Sequence, residues 1–381
     1  MSKLDELIQA LCPDGVEYKE LRSISEMKRG TSVTKKDITE GDIPVISGGK
    51  EPAYYCNIHN RDGEIITVAG SGAGAGYVQF WTTPIFVCDA FSVKGCAGVS
   101  TKYLYYCLTN MQERIYSTKK GGGVPHVHIS SIENFKIPVP PLPVQREIVR
   151  ILDNFTELTA ELTAELTARK KQYEYYRDEL LTFGDDVQFL PLNNVAKIYD
   201  GTHQTPEYKS SGIPFISVEN IGDIYNSKKY ITREAFEAYK IKPRKGDLFM
   251  TRIGSIGVCA VFDHDAEIAY YVSLALIRPN ESIVTADYLK YIIESSIGRK
   301  ELRKRTLVNA VPIKVNKDDI GKIVLPIPPL ETQNKIVQIL DRFDALCNDI
   351  SAGLPAEIEA RQKQYEYYRD KLLTFKEKEA T

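Results

Sequence analysis

The chain reads RKKQYEYYRDELLTF at residues 169–183 and RQKQYEYYRDKLLTF at residues 361–375. Thirteen of these fifteen positions are identical. Each copy follows a second matching block, which is IPVPPLPVQREIVRILDNF at 137–155 and LPIPPLETQNKIVQILDRF at 325–343. Self-similarity over such distances is the signature of an internally repeated architecture. The sequence therefore predicts two related halves, each a globular segment followed by a long helix.

Helical periodicity connects the two blocks of the first copy. Apolar residues at 148, 151, 152 and 155 recur at spacings of three and four, as do those at 173, 176, 180 and 183. The run TELTAELTAELTA at 156–168 joins them with strong helix formers and without glycine. We predict a helix from about residue 145 to 182, on the order of 55 Å long at 1.5 Å per residue. In the second copy, SAGLP at 351–355 predicts a break and a new helix near Pro355, because proline suits a first helical turn.

The globular segments match more loosely but in the same order. IPVISGG at 43–49 corresponds to IPFISVEN at 213–220, and GEIITVAGSGAGAGYVQF at 63–80 corresponds to GDLFMTRIGSIGVCAVF at 246–262. These β-branched runs bounded by Gly, Pro and Asp predict strands, and short β-rich runs are also predicted at HVHIS (126–130) and IKVNKDDI (313–320). TKYLYYCLTN at 101–110 and ADYLKYIIES at 286–295 predict helices.

The start of the second segment also matches the start of the first. VQFLPLNNV at 187–195 follows the first long helix and resembles VEYKELRSI at 16–24. The repeat is therefore close to circular. We expect an α+β protein with two mixed α/β domains separated by two long antiparallel helices in a pseudo-two-fold circular repeat. The predicted boundaries are residues 1–143, 144–183, 184–331 and 332–376.

Composition places the chain among ordinary globular proteins of two or three domains. A formal net charge of −2 over 381 residues does not indicate a polyanion partner, so any nucleic-acid site must depend on local clusters. The seven cysteines form no C-x-x-C pair, the N-terminus does not resemble a signal peptide, and no apolar run is long enough to span a membrane. These features favour a reducing cytoplasm.

Motifs for catalysis are absent from the sequence. Residues 70–76 (GSGAGAG) half-fit a dinucleotide fingerprint, but a strand-like run, YVQFWTTPIF, follows where the fingerprint needs a helix. A glycine-rich connection between strands is the preferred interpretation. His126 and His128 lack a third metal ligand nearby. The chain has no G-x-S-x-G, P-loop or H-E-x-x-H sequence, and none of the [NDS]-P-P-[YFW] sequences of amino-methyltransferases.

Basic clusters recur at corresponding places in the two globular segments, next to glycines and hydroxyl residues. They are Lys28-Arg29, Lys35-Lys36, Lys119-Lys120, Lys240–Lys245 and Arg299–Arg305. Lys, Arg and backbone N–H groups suit phosphate contacts, whereas Asn, Gln, Arg and Ser suit base edges. A single cluster is usually solvated surface, but recurrence in both segments favours nucleic-acid contact.

The tyrosines of YEYYRD fall on two faces of the predicted helix. Tyr173, Tyr176, Leu180 and Phe183 share one stripe that is expected to be mostly core, whereas Tyr175 lies on another face. Near-identity of both copies over both faces exceeds what a helix core requires. It indicates that one partner surface is presented twice.

The whole chain resembles the specificity (S) subunit of type I restriction–modification systems. The resemblance rests on the alternation of globular segments and helices, on the P-P-L…Q…I-V-x-I-L-D-x-F block before each helix, and on R-x-K-Q-Y-E-Y-Y-R-D at its end. GTHQTP at 201–206, followed by IPFIS at 213–217, is similar to the opening of the target-recognition domains of such subunits. The T-A-E-L tetrads at 159–162 and 163–166 resemble a feature of one subclass.

The resemblance implies a DNA-binding, non-catalytic role. Each target-recognition domain would read one part of a split DNA sequence, chiefly through the major groove. The helices would set the gap and dock two methyltransferase (M) subunits, which carry S-adenosylmethionine and methylate adenine. Restriction (R) subunits would add ATP- and Mg-dependent DNA cleavage. Two alternatives remain open at this stage: a two-headed protein-binding scaffold without DNA recognition, and a stand-alone enzyme that uses the glycine-rich loop.

Candidate residues follow from the clusters and from the resemblance; none is assigned to catalysis or to a metal. The candidate DNA contacts are Lys28, Arg29, Thr31, Ser47, Lys50, Ser71, Lys119, Lys120, His126, Thr202, His203, Gln204, Ser217, Asn220, Arg252, Ser255, Arg303, Lys304 and Asn309. The candidate partner-helix interface is Tyr173, Tyr175, Tyr176, Arg177, Leu180, Tyr365, Tyr367, Tyr368, Arg369 and Leu372.

We predict that the number of T-A-E-L tetrads sets the length of the unread gap in the DNA target. Removing Thr163–Leu166 shortens the helix by about 6 Å, a little under two base-pair steps of about 3.4 Å. Mapping the methylated motif in cells that express the shortened chain should therefore show a shorter gap between unchanged halves. Thr163→Ala, which keeps the length, is the control. An unchanged gap after the deletion would refute this role.

Overall fold

The structure, a computed structural model, describes residues 2–33, 38–349 and 352–378. The chain divides into two compact units. Unit 1 comprises Met1–Thr163 and Ile358–Thr381, and unit 2 comprises Ala164–Glu357. Below, head 1 denotes residues 13–141 of unit 1, and head 2 denotes residues 184–329 of unit 2. Each unit therefore contains one head, the beginning of the helix that follows it, and the end of the other long helical segment.

Unit 1 contains nine named strands and begins with a short helix, α1 (Lys3–Leu11). Its strands are β1 (Tyr18–Glu20), β2 (Ser25–Arg29), β3 (Ile43–Ile46), β4 (Tyr54–Cys56), β5 (Ile65–Ala69), β6 (Val78–Trp81), β7 (Phe86–Val87), β8 (Ala90–Gly95) and β9 (Lys136–Pro138). Its other helices are α2 (Leu21–Ile24), α3 (Thr101–Asn110), α4 (Gln112–Tyr116), α5 (Ile129–Ile132) and the first part of α6 (Leu142–Leu180).

Unit 2 repeats this plan. Its strands are β10 (Gln188–Pro191), β11 (Ala196–Asp200), β12 (Ile213–Ile216), β13 (Tyr230–Ile231), β14 (Asp247–Thr251), β15 (Cys259–Phe262), β16 (Ala269–Tyr270), β17 (Leu274–Pro279) and β18 (Val324–Ile327). Its helices are α7 (Leu192–Val195), α8 (Arg233–Glu237), α9 (Ala286–Glu294), α10 (Ser296–Arg303), α11 (Lys317–Ile320), α12 (Leu330–Asn348) and the start of α13 (Leu354–Leu372).

The sheets of the two heads have the same topology. Head 1 contains sheets ordered β2-β8-β5-β6, β4-β3-β7 and β1-β9, and head 2 contains β11-β17-β14-β15, β13-β12-β16 and β10-β18. In each three-stranded sheet one pair is parallel, β3 with β7 and β12 with β16, and the other pair is antiparallel. The prediction of two related mixed α/β domains is confirmed.

Helix α3 of head 1 and the equivalent helix α9 of head 2 are each anchored by two tyrosine hydroxyls. Tyr103 on α3 donates to the carbonyl of Pro138 at 3.0 Å, and Tyr288 on α9 donates to the carbonyl of Pro326 at 2.9 Å. Tyr106 donates to Asp153 on α6, as Tyr291 donates to Asp341 on α12. These rings are almost fully buried, so each hydroxyl needs its partner.

A buried glutamine fixes the start of each long helix. The Gln145 amide accepts from the backbone N–H of Ser100 at 2.9 Å and donates to the carbonyls of Gly98 and Pro140 at 3.0 and 2.7 Å. Gln333 makes the equivalent three bonds in unit 2, with the backbone of Thr285, Ile283 and Pro328. The glutamine side chain thereby joins the start of the long helix to the loop that precedes α3 in unit 1 and α9 in unit 2.

The long helices begin and end close to the predicted positions. α6 is continuous from Leu142 to Leu180, and Pro143 occupies its first turn. The predicted break in the second copy is confirmed, because α12 ends at Asn348 and α13 begins at Leu354. Gly353 closes this turn: a Cβ there would lie 2.6 Å from the Ala345 carbonyl oxygen.

The predicted β-rich runs at 126–130 and 313–320 are partly wrong. Each run forms β-bridges only at one residue, His126 in the first and Lys314 in the second. The chain then enters the short helix α5 or α11. Polar residues near the start of each turn, Ser131 in α5 and Asp318 with Asp319 in α11, favour a helical turn over a continued strand.

In unit 1 the segment from Val16 to Tyr18 pairs with residues 375–378, at the place where the other repeat has continuous chain. In unit 1 the Val16 N–H donates to Lys376 at 2.9 Å, Lys378 N–H donates back to Val16 at 3.0 Å, and the Tyr18 hydroxyl donates to Phe375. Gly15 permits this approach with φ +101°, since a Cβ would lie 2.4 Å from the Lys376 carbonyl oxygen. In unit 2 the residues after Phe183 lead directly into β10. This confirms the circular repeat.

Two global features concern the environment of the protein. All seven cysteines are free, and five of them are buried. Among the described residues, none of the helices combines the length and the apolar character that crossing a bilayer demands.

We predict that Gln145→Met and Gln333→Met each lower the free energy of unfolding by about 3 kcal/mol, because each leaves one buried and two partly buried backbone groups without their partner. Urea unfolding followed by far-UV circular dichroism measures both variants. Fluorescence of Trp81, the only tryptophan, reports on head 1 and should follow Gln145→Met.

Gln338→Met is the matched control, because the Gln338 side chain is exposed and forms no hydrogen bond with a described residue. Its effect should stay within about 0.5 kcal/mol. Buried-site variants that unfold like this control would contradict the anchoring role.

Candidate nucleic-acid interface

Three loops converge at one edge of head 1. Ser71, just after β5, forms a bridge with His126, which also bridges Lys120. Gly48, just after β3, packs so closely that a Cβ would lie 2.1 Å from the Ser71 carbonyl oxygen. Lys50 in the same loop lies over the Tyr77 ring, 5.1 Å from its centroid. The predicted candidates Ser47, Lys50, Ser71, Lys120 and His126 are therefore neighbours in space.

A cleft beside these loops is lined by the Arg29 guanidinium, which has no ion-pair partner among the described residues. It has a volume of about 280 Å³ and is lined by Arg29, Asp89, His126 and His128 among others. The Ser71 hydroxyl donates to the Asp89 carboxylate. The Arg29 side chain is exposed and forms no ion pair with any described residue. Arg29 is thus available to bind an anion or a base edge.

The corresponding loops converge in head 2 around Ser273. Its carbonyl accepts from the Arg252 backbone at 3.0 Å, and its hydroxyl accepts from the Val218 N–H at 3.1 Å. The backbone of Thr202 pairs with the Tyr270–Val272 segment. The candidates Thr202, Ser217 and Arg252 therefore meet at one edge, equivalent to that of head 1.

The Arg252 side chain is placed differently from the expectation. It is only 6% exposed, and its Nη1 donates to the Asp200 carboxylate. Its Nε is buried without a hydrogen-bond partner among the described residues, and burial lowers the pKa of the guanidinium. In this conformation Arg252 is not presented for a bidentate base contact, because the residue is almost fully buried and its Nη1 is engaged by Asp200. It instead holds the end of β11, where His203 lies 3.9 Å from Asp200.

Gln204 and Asn220 differ in their freedom. Gln204 is exposed, and its side-chain amide forms no hydrogen bond with a described residue. Asn220 uses its amide oxygen to accept from the Ser217 N–H at 3.1 Å. Gln204 therefore presents its complete amide to solvent, whereas Asn220 presents only its donor side.

A second loop of head 2 lies against the Arg252 strand end. Lys314 bridges both Ile253 and Leu307, and the Gly254 N–H donates to the Ile313 carbonyl at 2.9 Å. This contact packs the loop that carries Asn309 against the segment that leads to Ser255, and Arg303 and Lys304 lie at the end of α10, just before this loop. Lys304 is paired with Glu301, whereas Arg303 forms no ion pair with any described residue.

Three candidates of head 1 are already engaged by neighbours. Lys28 pairs with Glu26 at 2.7 Å on its own strand. Thr31 accepts from Asn60 at 3.0 Å. Lys119 lies over the Tyr116 ring, 4.1 Å from the centroid. Lys35 and Lys36 lie outside the described residues.

Sequence reasoning missed the acidic and apolar members of these surfaces. Asp89 and Asp200 were not selected, although each holds a candidate residue in place. Asp200 stands where head 1 has Arg29, and this substitution within the repeat was a usable signal. The apolar residues from Leu307 to Ile313 were also missed, because an exposed apolar loop has no distinctive sequence pattern.

The sequence segments at 70–76 and 126–128, which half-fit a nucleotide or a metal motif, are placed as follows. Residues 70–76 lead into strand β6 rather than into a helix. The rings of His126 and His128 stack at 6.0 Å, and the Nδ1 of His126 contacts the Val124 carbonyl at 2.7 Å. Within the described ranges, no group of three or more His, Cys, Asp or Glu side chains is placed to hold a metal ion.

The YEYYRD segments form the second candidate surface. In unit 2, Tyr176 stacks on Phe343 of α12 with centroids 6.0 Å apart; in unit 1, Tyr368 stacks on Phe155 of α6 at 5.5 Å. Tyr175 and Tyr367 point outward and are 61% and 62% exposed. Each unit therefore presents an equivalent exposed tyrosine beside a helix-packing tyrosine.

Several residues assigned to the partner interface belong to the cores. Tyr173 is 9% exposed and Arg177 is 5% exposed, with the guanidinium 5.6 Å from the Tyr173 ring centroid. Burial raises the pKa of both Tyr173 and Tyr365. Leu180 and Leu372 pack against the cores of their units, and Arg369 lies over the Tyr365 ring. These six side chains support the surface rather than form it, because the helix stripe faces the core.

Comparisons with known proteins identify the family of the chain. A protein family described as "Type I restriction modification DNA specificity domain" matches residues 13–169 and 184–360, one match for each repeat. The specificity subunit of the type I restriction enzyme EcoR124I/EcoR124II from Escherichia coli is 36% identical over an alignment of 413 residues. The alignment covers 98% of this chain and 97% of that protein. The putative type I specificity subunit S.HindORF215P from Haemophilus influenzae is 31% identical over 387 residues, which cover 94% and 96%.

Solved structures share the fold. The S subunit of a type I restriction–modification system from M. genitalium matches with a TM-score of 0.63 and 17% identity, over 96% of this chain and 97% of that one. A chain from a structure concerned with assembly and conformational transition of the type I system matches with a TM-score of 0.62 and 18% identity, over 95% and 98%. With both repeats matched and relatives aligned along nearly the full length, the chain belongs to the type I restriction–modification DNA specificity family.

Proposed function

We propose that this chain is the DNA-recognition subunit of a type I restriction–modification complex. Each head reads one half of a bipartite target through its converging loops. The observation that carries the proposal is the repeat itself: two heads of identical topology bring different polar loops to equivalent edges. Two readers on one chain suit a DNA sequence in two separate parts.

The chemistry of the loops suits this division of work. Arg29 and Arg303 are exposed cations free of ion pairs with described residues, and Gln204 presents a free amide. Cations contact phosphates in any sequence, whereas an amide reads adenine through a bidentate contact in the major groove. The family match to a DNA specificity domain favours this function over a protein-binding scaffold.

Partner subunits supply the catalytic chemistry in this proposal. Two methyltransferase subunits bring S-adenosylmethionine, and restriction subunits bring ATP and Mg²⁺. This chain itself is then not an enzyme. The complex works in the cytoplasm. The methyltransferase subunits dock on the two exposed tyrosine surfaces, around Tyr175 in unit 2 and Tyr367 in unit 1. Equivalent surfaces in both units fit two copies of one partner.

Mapping adenine methylation in cells that express the chain with its methyltransferase partner tests the proposal. We expect one bipartite motif. Gln204→Ala should relax the preference at one position in one half, because the amide contact is worth about 1–3 kcal/mol of discrimination. Arg303→Ala should instead weaken binding to all sequences and leave the motif unchanged.

Lys228→Ala, an exposed cation that forms no ion pair with described residues and lies outside the converging loops, is the matched control for Arg303→Ala. A single continuous motif, or methylation without sequence preference, would refute two independent readers. An unchanged motif with Gln204→Ala would remove this residue from the reading surface.

We predict that Tyr175→Ala and Tyr367→Ala each remove one of two bound methyltransferase subunits, and that the double variant binds none. Central interface tyrosines commonly contribute more than about 2 kcal/mol, equivalent to roughly a thirtyfold loss of affinity. Native mass spectrometry of the purified complex measures the stoichiometry.

Tyr55→Ala is the control, because Tyr55 is a comparably exposed tyrosine in head 1, 56% against 61% for Tyr175. It should retain both partner subunits. Full occupancy in the double variant would show that the partner binds elsewhere.

A further inference from the structure

Head 2 carries an exposed apolar loop, here called the valine loop, that comprises residues 306–314. Its two ends pair, since the Leu307 N–H donates to Lys314 at 2.8 Å, and a turn closes it with the Ala310 N–H donating to Leu307 at 3.2 Å. The loop is therefore a defined projection. Its return strand contacts Ile253 and Gly254, so it stands directly beside the converging loops of head 2.

The tip of the valine loop is apolar and open to solvent. Val311 is 99% exposed, Val308 63%, Leu307 44% and Ile313 40%. These clustered apolar side chains are exposed to water. An apolar group of a ligand that covers them removes apolar surface from water, and this burial is favourable. The cluster therefore points to a ligand with a small apolar group.

The charges around the tip indicate what kind of ligand carries that group. Arg303 and Lys314 are exposed at the base of the loop, and neither forms an ion pair with a described residue. The acid nearest in sequence, Glu301, is engaged by Lys304 and Arg305. Free cations beside an apolar tip suit a polyanion that also displays apolar groups.

The corresponding loop of head 1 has the opposite chemistry. Residues 119–126 read KKGGGVPH, and Lys120 and His126 pair as Leu307 and Lys314 do. Glycine and lysine at this position suit close contact with phosphates, and only Val124 provides an exposed apolar side chain. The tip at this position is thus rich in glycine in head 1 and mainly apolar in head 2, although a valine precedes a proline in both.

We propose that the valine loop enters the major groove and covers the C5-methyl group of thymine, so that head 2 selects for an A·T pair through apolar contact. This inference rests on the proposed DNA-recognition function. In B-DNA the thymine methyl is the apolar group that distinguishes base pairs in the major groove. Val311 and Val308 supply the contact, while Arg303 and Lys314 bind the flanking phosphates.

Replacement of thymine by deoxyuridine tests the proposal, because it removes only the methyl group. The complex of the full chain with its methyltransferase subunits is titrated with duplexes that carry the mapped motif, with each thymine replaced in turn. We expect the replacement at one position to weaken binding about fourfold, which corresponds to the free energy of burying one methylene-sized group. In the Val311→Ser variant the same replacement should have no effect.

Val124→Ser, in the equivalent loop of head 1, is the matched control and should keep the deoxyuridine effect. Val311 is fully exposed, so its substitution should leave the thermal unfolding of the chain unchanged.

Three results would overturn the inference: a motif half read by head 2 that contains no A·T pair, equal sensitivity of Val311→Ser and the unaltered chain to deoxyuridine, or loss of methyltransferase subunits from Val311→Ser without a change in DNA binding. The last result would assign the loop to a protein contact. Absence of any sequence-specific DNA binding by the unaltered complex would instead refute the proposed function.

Discussion

A buried glutamine amide at the start of each long helix determines how that helix leaves its own head. One acceptor and two donors satisfy three backbone groups that come from two separate segments. An apolar side chain of the same size would leave one buried and two partly buried backbone groups without these partners, and the buried group alone would cost about 1–3 kcal/mol. Because Gln145 and Gln333 make the same three bonds, this arrangement is independent of the differing loops around it.

The separation between a fixed scaffold and variable loops has a simple physical origin. Strands β5 and β14 are buried along their whole length, so their side chains must stay apolar or be satisfied within the head. The loop that follows each strand needs only a few backbone bonds, such as those at Ser71 and Ile253. Side chains in these loops can therefore change in charge and size without disturbing the sheet. Strand ends vary too, since β2 ends in Arg29 in one head and the equivalent β11 ends in Asp200 in the other.

The sequence predicted most of this architecture because its signals are local or repeated. Helix periodicity, the SAGLP break and the order of the strands all follow from neighbouring residues or from comparison of the halves. Contacts between distant residues were less accessible. The burial of Arg252 depends on Asp200, 52 positions earlier, and the short helices α5 and α11 depend on turns too brief for a periodic pattern. Tyr173 was correctly expected on a core stripe, but the same stripe also carries Arg177, whose burial was not expected from its charge.

Identity between the two YEYYRD segments extends beyond what packing requires. Leu181 and Leu373 are buried in their cores, and a core can explain why such positions match. Glu174 and Tyr175 are exposed, yet they are identical to Glu366 and Tyr367. Substitutions at exposed positions usually change stability by less than about 0.5 kcal/mol, so stability alone does not hold these residues constant. The loops at the converging edges of the heads also carry exposed side chains, such as Gln204 and Arg303, but they share little sequence. This contrast supports the proposal that the helix surfaces meet the same ligand twice, whereas the loops of the two heads meet different ones.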